Sequence, residues 1–260
     1  MKAAQARVLL TGASGGIGQA VASALVSAGA SVMLAGRSAS QLSIQAGALQ
    51  QPTGAARVTW HATDLAVSAQ VTSLASAAVH WNCNVVIHNA GMASFGRFLN
   101  GSPEETSQVL GINLVAPMLL TQSMLPHLLS QAAAQVICVG SVLGRLGLPG
   151  YSVYSASKFG LRGFAEALRR ELMGTSVAVQ YLGPRSTRTG FNSPEALAYN
   201  QATGTQSDVP EVVADSLLKL LESRAAERFL GFPEKLAVCL NGLAPALLDG
   251  AFDKHRASLA

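Results

Sequence analysis

Short apolar runs rich in β-branched residues alternate with longer segments of helical periodicity along nearly the whole chain. The apolar runs predict seven strands, at residues 8–10, 31–35, 58–61, 85–88, 136–139, 177–182 and 228–230. Strands that alternate with helices imply right-handed βαβ crossovers and a parallel sheet covered on both faces. We therefore expect an α/β fold with a doubly wound parallel sheet of about seven strands, in one domain over residues 1–260.

The composition is that of an ordered globular domain. Of the 260 residues, 49% are hydrophobic and 12% are charged, which excludes a chain that is disordered throughout. The net charge of +4 is modest and the basic residues are scattered, so nucleic acid is not expected as a partner. Cys83, Cys138 and Cys239 are odd in number and far apart, which argues against a disulfide framework and favours a reducing compartment.

No signal or membrane segment is apparent. The N-terminal residues lead directly into the first strand, and no stretch reaches the roughly 18 apolar residues of a membrane span. We expect a cytoplasmic protein without a transmembrane segment, and no motif predicts a metal site.

A glycine-rich turn lies between the first predicted strand and an alanine-rich helix, within residues 7–19. Gly12, Gly16 and Gly18 let the backbone turn tightly and approach phosphates, while the helix N-terminus offers unpaired N–H groups. This context predicts a dinucleotide pyrophosphate site. A purely structural glycine turn is the alternative.

Tyr154 and Lys158 are four residues apart in a segment that is predicted to be helical, so both side chains leave the same helical face. A fixed positive charge beside a phenol favours the phenolate and lowers the phenol pKa toward neutrality. The pair therefore indicates general acid/base chemistry, although an exposed helix face gives the same spacing. Ser141 strengthens the first interpretation, because it follows a predicted buried strand at the end where open α/β sheets bind ligands.

Together these motifs resemble those of the short-chain dehydrogenase/reductase family, from about residue 7 to about residue 190. The residues that carry the resemblance are Thr11-Gly-x-x-x-Gly-x-Gly18, Asn89-Ala-Gly91, Asn113, Ser141, Tyr154 and Lys158. The resemblance implies a Rossmann-type fold and hydride transfer between the nicotinamide C4 and a carbonyl carbon. The residues that it implies for cofactor binding are Thr11, Gly12, Ser14, Gly16, Ile17, Gly18, Arg37, Asp64, Asn89, Ala90, Gly91, Tyr154, Lys158, Gly183 and Thr187.

The resemblance also implies catalytic roles. Tyr154 would donate a proton to the carbonyl oxygen, and Ser141 would bind and orient that oxygen. Lys158 would lower the pKa of Tyr154 and bind the nicotinamide ribose. Asn113 would hold a water that completes a proton relay.

Asn113 also has an argument of its own. Ser102-Pro-Glu-Glu105 is a capping box with proline at the first helical position, so a long helix is predicted to begin there and to pass through Asn113. Pro117 has no N–H for the carbonyl of Asn113, which predicts a kink and one free carbonyl. A proline that only bends the helix around the sheet is the alternative.

Arg37 indicates the choice of cofactor. An acidic residue at the end of the second strand would bind an NAD ribose and repel a 2′-phosphate, whereas this chain has Gly36 and Arg37. A guanidinium pairs with phosphate oxygens, so NADP(H) is favoured over NAD(H). The alternatives are a solvated Arg37 and, for Asp64, a simple turn cap instead of an adenine contact.

His88, where many relatives have asparagine, is interpreted as a packed neighbour.

The loop after the sixth strand departs from the family pattern. The family usually has Pro-Gly followed by a threonine, whereas Leu182 here precedes Gly183 and Pro184; Thr187 still matches the residue that meets the nicotinamide carboxamide. Substrate identity depends on residues 185–207 and on the segment after Ser141, where apolar residues predict either a cavity wall or core. The residues are Val142, Leu143, Leu146 and Leu148.

An apolar ketone or aldehyde is the favoured substrate. Arg185 and Arg188 would suit an acidic carrier group, so a 3-oxoacyl thioester is the second choice.

The apolar residues 232–260 are interpreted as a lid, a subunit interface or a membrane contact, with the membrane contact the least favoured. The family resemblance implies a homodimer or homotetramer.

Two other functions are compatible with parts of the pattern. A non-catalytic NADP(H)-binding sensor would need the glycine loop and Arg37 but not the complete set Asn113, Ser141, Tyr154 and Lys158. An epimerase or dehydratase of a longer related family fits less well, because such chains have a different glycine spacing and an additional substrate domain.

Overall fold

The sheet is all-parallel and has seven strands. A computed structural model describes residues 1–50, 57–232 and 234–259 of the chain. The strands are β1 Arg7–Thr11, β2 Ser31–Gly36, β3 Val58–Ala62, β4 Val85–His88, β5 Ala134–Val139, β6 Val177–Gly183 and β7 Glu227–Phe229. Their order across the sheet is β3-β2-β1-β4-β5-β6-β7. The predicted fold class is confirmed, and the predicted strands differ from these only at their ends.

Helices cover both faces of the sheet. They are α1 Gly16–Ser27, α2 Ala39–Leu49, α3 Ser68–His80, α4 Pro103–Leu110, α5 Ala116–Ser130, α6 Ser152–Glu171, α7 Pro194–Thr203, α8 Pro210–Ser223, α9 Glu234–Leu243 and α10 Asp253–Ala257. Alternate residues of β1 enter two different cores: Val8 and Leu10 pack with α1 and α8, and Leu9 packs with α3 and α5. Because both of their faces are buried, the central strands β1, β4 and β5 are mostly apolar runs.

The strand order reverses between β1 and β4. The connections after these two strands leave in opposite directions and open a crevice at the carboxyl ends of the strands. Both the glycine-rich loop after β1 and the Asn89–Gly91 segment after β4 therefore lie at this crevice.

A continuous helical stretch carries Asn113. Ser102 caps α4 through its hydroxyl, which accepts a hydrogen bond from the backbone N–H of Glu105 at 3.1 Å, as the capping box predicts. The expected simple proline kink is replaced by a π-helical turn, Gly111–Val115, in which the N–H of Ala116 bonds to the carbonyl of Gly111. Pro117 has no N–H to donate to the preceding turn, and the wider π-helical turn accommodates this loss.

The expectation that no stretch reaches the apolar length of a membrane span is wrong for this helical stretch. By length and composition alone, Pro103–Ser130 could cross a membrane, with a mean hydropathy of 1.4 over its most apolar window. Leu120, Met124 and Leu128 nevertheless pack into the core beside the sheet. The central helix of a globular domain has the same composition.

The C-terminal segment, residues 232–260, packs against its own chain in the part that the structure describes. Val238 is buried among Val142 and Leu143. The Asn241 side chain donates a hydrogen bond to the carbonyl of Arg145 at 2.7 Å. These contacts place α9 on the turn that follows β5, directly beside Ser141.

Candidate active site

One large cavity, of about 960 Å³, lies at the carboxyl ends of the central strands. Its wall begins at the glycine-rich loop and ends at Phe252 and His255 of the C-terminal segment. The predicted site residues that line it are Thr11, Gly12, Ser14, Gly16, Ile17, Gly18, Arg37, Asp64, Asn89, Ala90, Gly91, Ser141, Tyr154, Lys158 and Thr187. Asn113 lies just behind the wall, and Gly183 is enclosed within β6.

Two positions of the glycine-rich loop tolerate no residue other than glycine. Gly12 has a φ of +63°, and a Cβ added there would lie 2.7 Å from the Cα of Ala90. A Cβ at Gly18 would lie 2.1 Å from the carbonyl oxygen of Gly12. The absence of side chains leaves the N-terminus of α1 open to the cavity, so the loop fits a dinucleotide pyrophosphate.

Thr11 and Asn89 join this loop to the end of β4. The Asn89 side chain donates hydrogen bonds to the carbonyls of Thr11 at 3.1 Å and Gly12 at 3.0 Å. The Thr11 hydroxyl accepts the backbone N–H groups of Asn89 and Ala90. The Asn89-Ala-Gly91 motif thus holds the shape of the glycine loop.

Arg37 and Asp64 line the cavity beside the ends of β2 and β3. The Arg37 side chain is exposed, so its guanidinium can meet an anion that enters from solvent. One carboxylate oxygen of Asp64 accepts the backbone N–H of Ala66 at 3.0 Å. Asp64 therefore forms the turn cap that was the alternative interpretation, and it also lines the cavity.

Tyr154 and Lys158 project together from α6. The Lys158 ammonium lies 5.6 Å from the centre of the Tyr154 ring and donates a hydrogen bond to the carbonyl of Val139 at 3.3 Å. Burial lowers the pKa of Lys158 to about 8. Burial also raises the pKa of Tyr154 above its ordinary value, and the hydrogen bond from the Ser141 side chain offsets only part of this effect.

The electrostatic expectation for Tyr154 is thereby corrected. Sequence spacing alone predicts that Lys158 lowers the pKa of Tyr154, whereas burial of the phenol raises that pKa in the folded protein. Tyr154 consequently retains its proton at neutral pH, as a proton donor must.

Asn113 acts within the protein through its side chain. It is fully buried, its oxygen accepts the backbone N–H of Met92 at 2.7 Å, and its nitrogen donates to the carbonyl of Met92 at 2.9 Å. The same nitrogen donates to the hydroxyl of Ser157 at 3.0 Å. Asn113 thus connects the segment after β4 to the helix that carries Tyr154 and Lys158.

Comparison with known proteins agrees with this arrangement. A family model described as short chain dehydrogenase matches residues 6–199. The chain belongs to the short-chain dehydrogenase/reductase family. A ketoacyl reductase, HetN, from Nostoc sp. is 32% identical over 223 residues, which cover 85% of this chain and 76% of that protein.

Solved structures share the fold. A short-chain dehydrogenase/reductase from Burkholderia phymatum in complex with NAD has a TM-score of 0.82 at 24% identity, covering 93% of this chain and 95% of its own. A short-chain dehydrogenase from Sphingobium yanoikuyae in complex with NADPH has a TM-score of 0.78 at 24% identity, covering 94% and 95%. These two likenesses show that the chain has the fold of solved short-chain dehydrogenases/reductases.

Tyr181 is a site residue of this family member that sequence analysis did not identify. Its hydroxyl accepts the backbone N–H of Ser141 at 3.0 Å and donates to the carbonyl of Ser141 at 2.9 Å. Glycines at 140 and 144 make room for it, because a Cβ on either would lie about 2 Å from the Tyr181 hydroxyl. Within an apolar strand, the tyrosine gives no sign of this role.

The loop after β6 presents two threonines to the cavity of the dehydrogenase/reductase. The Thr187 hydroxyl donates to the carbonyl of Arg185 at 3.1 Å. Thr189 lies over the glycine-rich loop, since a Cβ at Gly16 would be 2.5 Å from its methyl group. Thr187 stays a prediction as a cofactor contact, and Thr189 is a second candidate that no sequence signal distinguished.

Gly183 has a packing role in the structure. It is buried, and its carbonyl accepts the backbone N–H of Leu230 at 2.9 Å. A Cβ at Gly183 would lie 2.3 Å from the ring of Phe229. The structure therefore does not bring Gly183 to the cavity wall, where a direct cofactor contact would require it.

The remaining wall of the cavity is largely apolar. The predicted apolar residues after Ser141 all line it: Val142, Leu143, Leu146 and Leu148. Arg185 forms a salt bridge of 2.7 Å with Asp208, and both side chains are largely buried. Arg188 is exposed and outside the cavity wall.

His88 is a packed residue, as predicted. Its Nε2 lies 2.7 Å from the hydroxyl of Thr121, and both side chains are buried. Burial lowers the pKa of His88 to about 4. A neutral histidine thus replaces the asparagine that the resemblance led us to expect, and it joins β4 to α5.

Proposed function

We propose that this short-chain dehydrogenase/reductase uses NADP(H) to interconvert a carbonyl group and a secondary or primary alcohol. The observation that carries the proposal is the association of Ser141, Tyr154 and Lys158 in one cavity with the glycine-rich loop. A binding protein would need the loop alone. The three side chains add a proton donor, a hydrogen-bonding hydroxyl and a buried cation to it.

The bound nicotinamide supplies the hydride, and the protein's side chains act on the substrate oxygen. Tyr154 is protonated at neutral pH because burial raises its pKa, so it can donate its proton as negative charge develops on that oxygen. The Ser141 hydroxyl lies beside the phenol and binds the same oxygen. Lys158 has a pKa of about 8 and is mostly charged at neutral pH, where it stabilises the phenolate that remains.

Arg37 supports NADP(H) over NAD(H). It is an exposed guanidinium in the cavity wall at the end of β2, the place where an acidic side chain would bind an unmodified ribose. The positive charge of Arg37 attracts the 2′-phosphate of NADP(H) and does not repel the ribose hydroxyl of NAD(H). We therefore expect a preference for NADPH and slower use of NADH.

The apolar wall after Ser141 supports an apolar ketone or aldehyde as substrate. The Arg185 charge is partnered by Asp208, and Arg188 lies outside the wall, so neither favours an acidic carrier. A 3-oxoacyl thioester is the second candidate substrate, since the Nostoc relative is named as a ketoacyl reductase.

Association into a homo-oligomer is part of the proposal. Neighbouring surfaces of the π turn, α5 and α6 expose apolar side chains: Val115, Met118, Leu119 and Phe159. Contiguous exposed apolar residues on helices favour burial against a second subunit. Light scattering should give a mass of at least twice 26.8 kDa, and Met118→Glu should shift the mass toward that of one chain.

The direct experiment is NADPH oxidation, with NADH in parallel, against apolar ketones, aldehydes and 3-oxoacyl thioesters, with Tyr154→Phe as the matched control. We expect turnover by the wild type, none by Tyr154→Phe, and equal NADPH affinity in both. A sensor would bind NADPH equally well in both proteins but oxidise it with no compound in the panel, and that outcome would contradict the proposal.

A further inference from the structure

The C-terminal segment contributes to the same cavity that contains Tyr154, through Phe252 and His255. A line of aromatic contacts connects the catalytic tyrosine to this histidine. Ring centres are 6.2 Å apart for Tyr154 and Tyr151, 5.9 Å for Tyr151 and Tyr199, and 5.5 Å for Tyr199 and His255. Tyr154, Tyr151 and His255 all line this cavity, so a substrate that places its carbonyl at Tyr154 and lies past Tyr151 can extend toward His255.

The hydrogen bonds of Tyr199 fix the tautomer of His255. The Tyr199 hydroxyl lies 2.9 Å from the carbonyl oxygen of Pro149 and 2.8 Å from Nδ1 of His255. A carbonyl only accepts, so the single phenolic hydrogen is donated to Pro149. Burial raises the pKa of Tyr199, which keeps that hydrogen in place. His255 must then donate its Nδ1–H to the phenol oxygen.

The other nitrogen of His255 is thereby an acceptor. A neutral imidazole with hydrogen on Nδ1 has a lone pair on Nε2, and burial, with a smaller effect of Lys254, lowers the pKa of His255. No hydrogen bond among the described residues involves Nε2. The ring packs against Tyr199 and Phe252, with centres 5.5 Å and 5.7 Å away, and His255 lines the cavity, where a ligand can reach Nε2.

We infer that Nε2 of His255 binds the substrate, by accepting a hydrogen bond from a hydroxyl or amide N–H group at the end of the molecule away from the reacting carbonyl. The inference rests on the proposed function and specifies its substrate class: carbonyl compounds with an apolar middle and a hydrogen-bond donor at the far end. The middle lies against Tyr151 and the apolar residues after Ser141, and the donor reaches the one acceptor whose orientation Tyr199 fixes.

The test uses two matched series of methyl ketones of increasing chain length, one ending in a hydroxyl and one in a methoxy group. The methoxy group keeps the oxygen but removes the hydrogen that His255 would accept. We expect the wild-type kcat/KM to favour the hydroxyl series by about fivefold to tenfold at one preferred length, the effect of a single well-formed hydrogen bond.

Two variants separate ligand binding from attachment of the C-terminal segment. In His255→Asn the amide nitrogen can replace Nδ1 toward Tyr199, but nothing replaces Nε2, so the ratio of kcat/KM between the hydroxyl and methoxy series should fall to about one. In His255→Gln the amide oxygen can reach the position of Nε2, so part of the preference should return.

Three outcomes would overturn the inference. The wild type could show no preference at any length, or His255→Asn could keep the wild-type preference. His255→Asn could also lose activity equally on both series, which would mean that His255 only holds the C-terminal segment. Turnover of methoxy ketones that depends on Tyr154 would keep the proposed function in each case, whereas no turnover of either series would contradict both.

Discussion

The Tyr181 hydroxyl forms hydrogen bonds with both the N–H and the carbonyl of Ser141, at 3.0 and 2.9 Å. The two residues are 40 positions apart: Ser141 follows the end of β5, and Tyr181 lies within the neighbouring strand β6, opposite Cys138. Through this contact, a buried side chain outside the cavity wall holds the backbone that carries the Ser141 hydroxyl. Tyr181 is therefore a positioning residue for Ser141.

Replacing Tyr181 with phenylalanine should lower kcat and leave cofactor affinity intact. The ring still packs against Phe229, but Ser141 loses two hydrogen bonds, each of about 1 kcal/mol, and its hydroxyl is held less firmly beside Tyr154. We expect kcat to fall about tenfold, with the KM for NADPH within about twofold, by steady-state kinetics.

Ser141→Ala provides the control for this prediction. If Tyr181 acts through the Ser141 hydroxyl, then Tyr181→Phe should cost little further activity in the Ser141→Ala background. Equal losses in both backgrounds would show that Tyr181 acts elsewhere.

Removing the charge of Arg37 should affect one cofactor only. Arg37→Ala loses a charged hydrogen bond to the 2′-phosphate, so the KM for NADPH should rise about tenfold to hundredfold while the KM for NADH stays within about twofold. The exposed Arg188→Ala is the matched control, because it removes the same charge outside the cavity. Equal effects on the two cofactors, or on the two variants, would count against recognition of the phosphate by Arg37.

His88 should make the protein sensitive to acid. Its pKa is about 4 in the folded protein and about 6.5 when unfolded, so the unfolded chain binds an extra proton between these values. Stability from this residue is present above pH 6.5 and is lost as the pH falls toward 4. Between pH 7.5 and pH 5, the free energy of unfolding should drop by about 2 kcal/mol from this cause.

Chemical denaturation of wild type and His88→Asn at the two pH values isolates that contribution. Asparagine does not titrate but can still form a hydrogen bond with Thr121. Between the two pH values, the free energy of unfolding of His88→Asn should therefore drop by about 2 kcal/mol less than that of the wild type. Parallel curves for the two proteins would refute the assignment.

Gly12→Ala should weaken NADPH binding, whereas Gly47→Ala should stabilise the fold. Alanine at 12 must adopt a φ of +63° and overlaps the backbone of Ala90, so NADPH affinity should fall more than tenfold, by roughly 1.4 kcal/mol or more. Alanine at 47 meets no atom within 4 Å, in the exposed part of α2, and should stabilise the protein by about 0.5–1 kcal/mol. Fluorescence titration and thermal unfolding measure the two effects.

The sequence predicts most of this fold and most of the residues that line the cavity, for a physical reason. Strands buried on both faces are continuous apolar runs, and the turns that bind phosphate need glycine at fixed places such as Gly12 and Gly18. These requirements are local in the chain. Tyr154 and Lys158 are also local, since one helical turn separates them.

What the sequence did not predict depends on contacts distant in the chain or on burial. Tyr181 resembles any other residue of an apolar strand, and its role exists only because β6 pairs with β5. The raised pKa of Tyr154 comes from the solvent that folding removes, which spacing to Lys158 cannot indicate. His255 lines the cavity only because the C-terminal segment packs back onto α7.

The most direct test of hydride transfer is the fate of deuterium from NADPH that carries deuterium in both C4 positions of the nicotinamide. Mass spectrometry of the alcohol formed from an active ketone should show one deuterium on the carbinol carbon with the wild type, and no product with Tyr154→Phe. An alcohol without deuterium, or an equal yield from Tyr154→Phe, would contradict the assignment of the Ser141, Tyr154 and Lys158 site as the place where carbonyl reduction occurs.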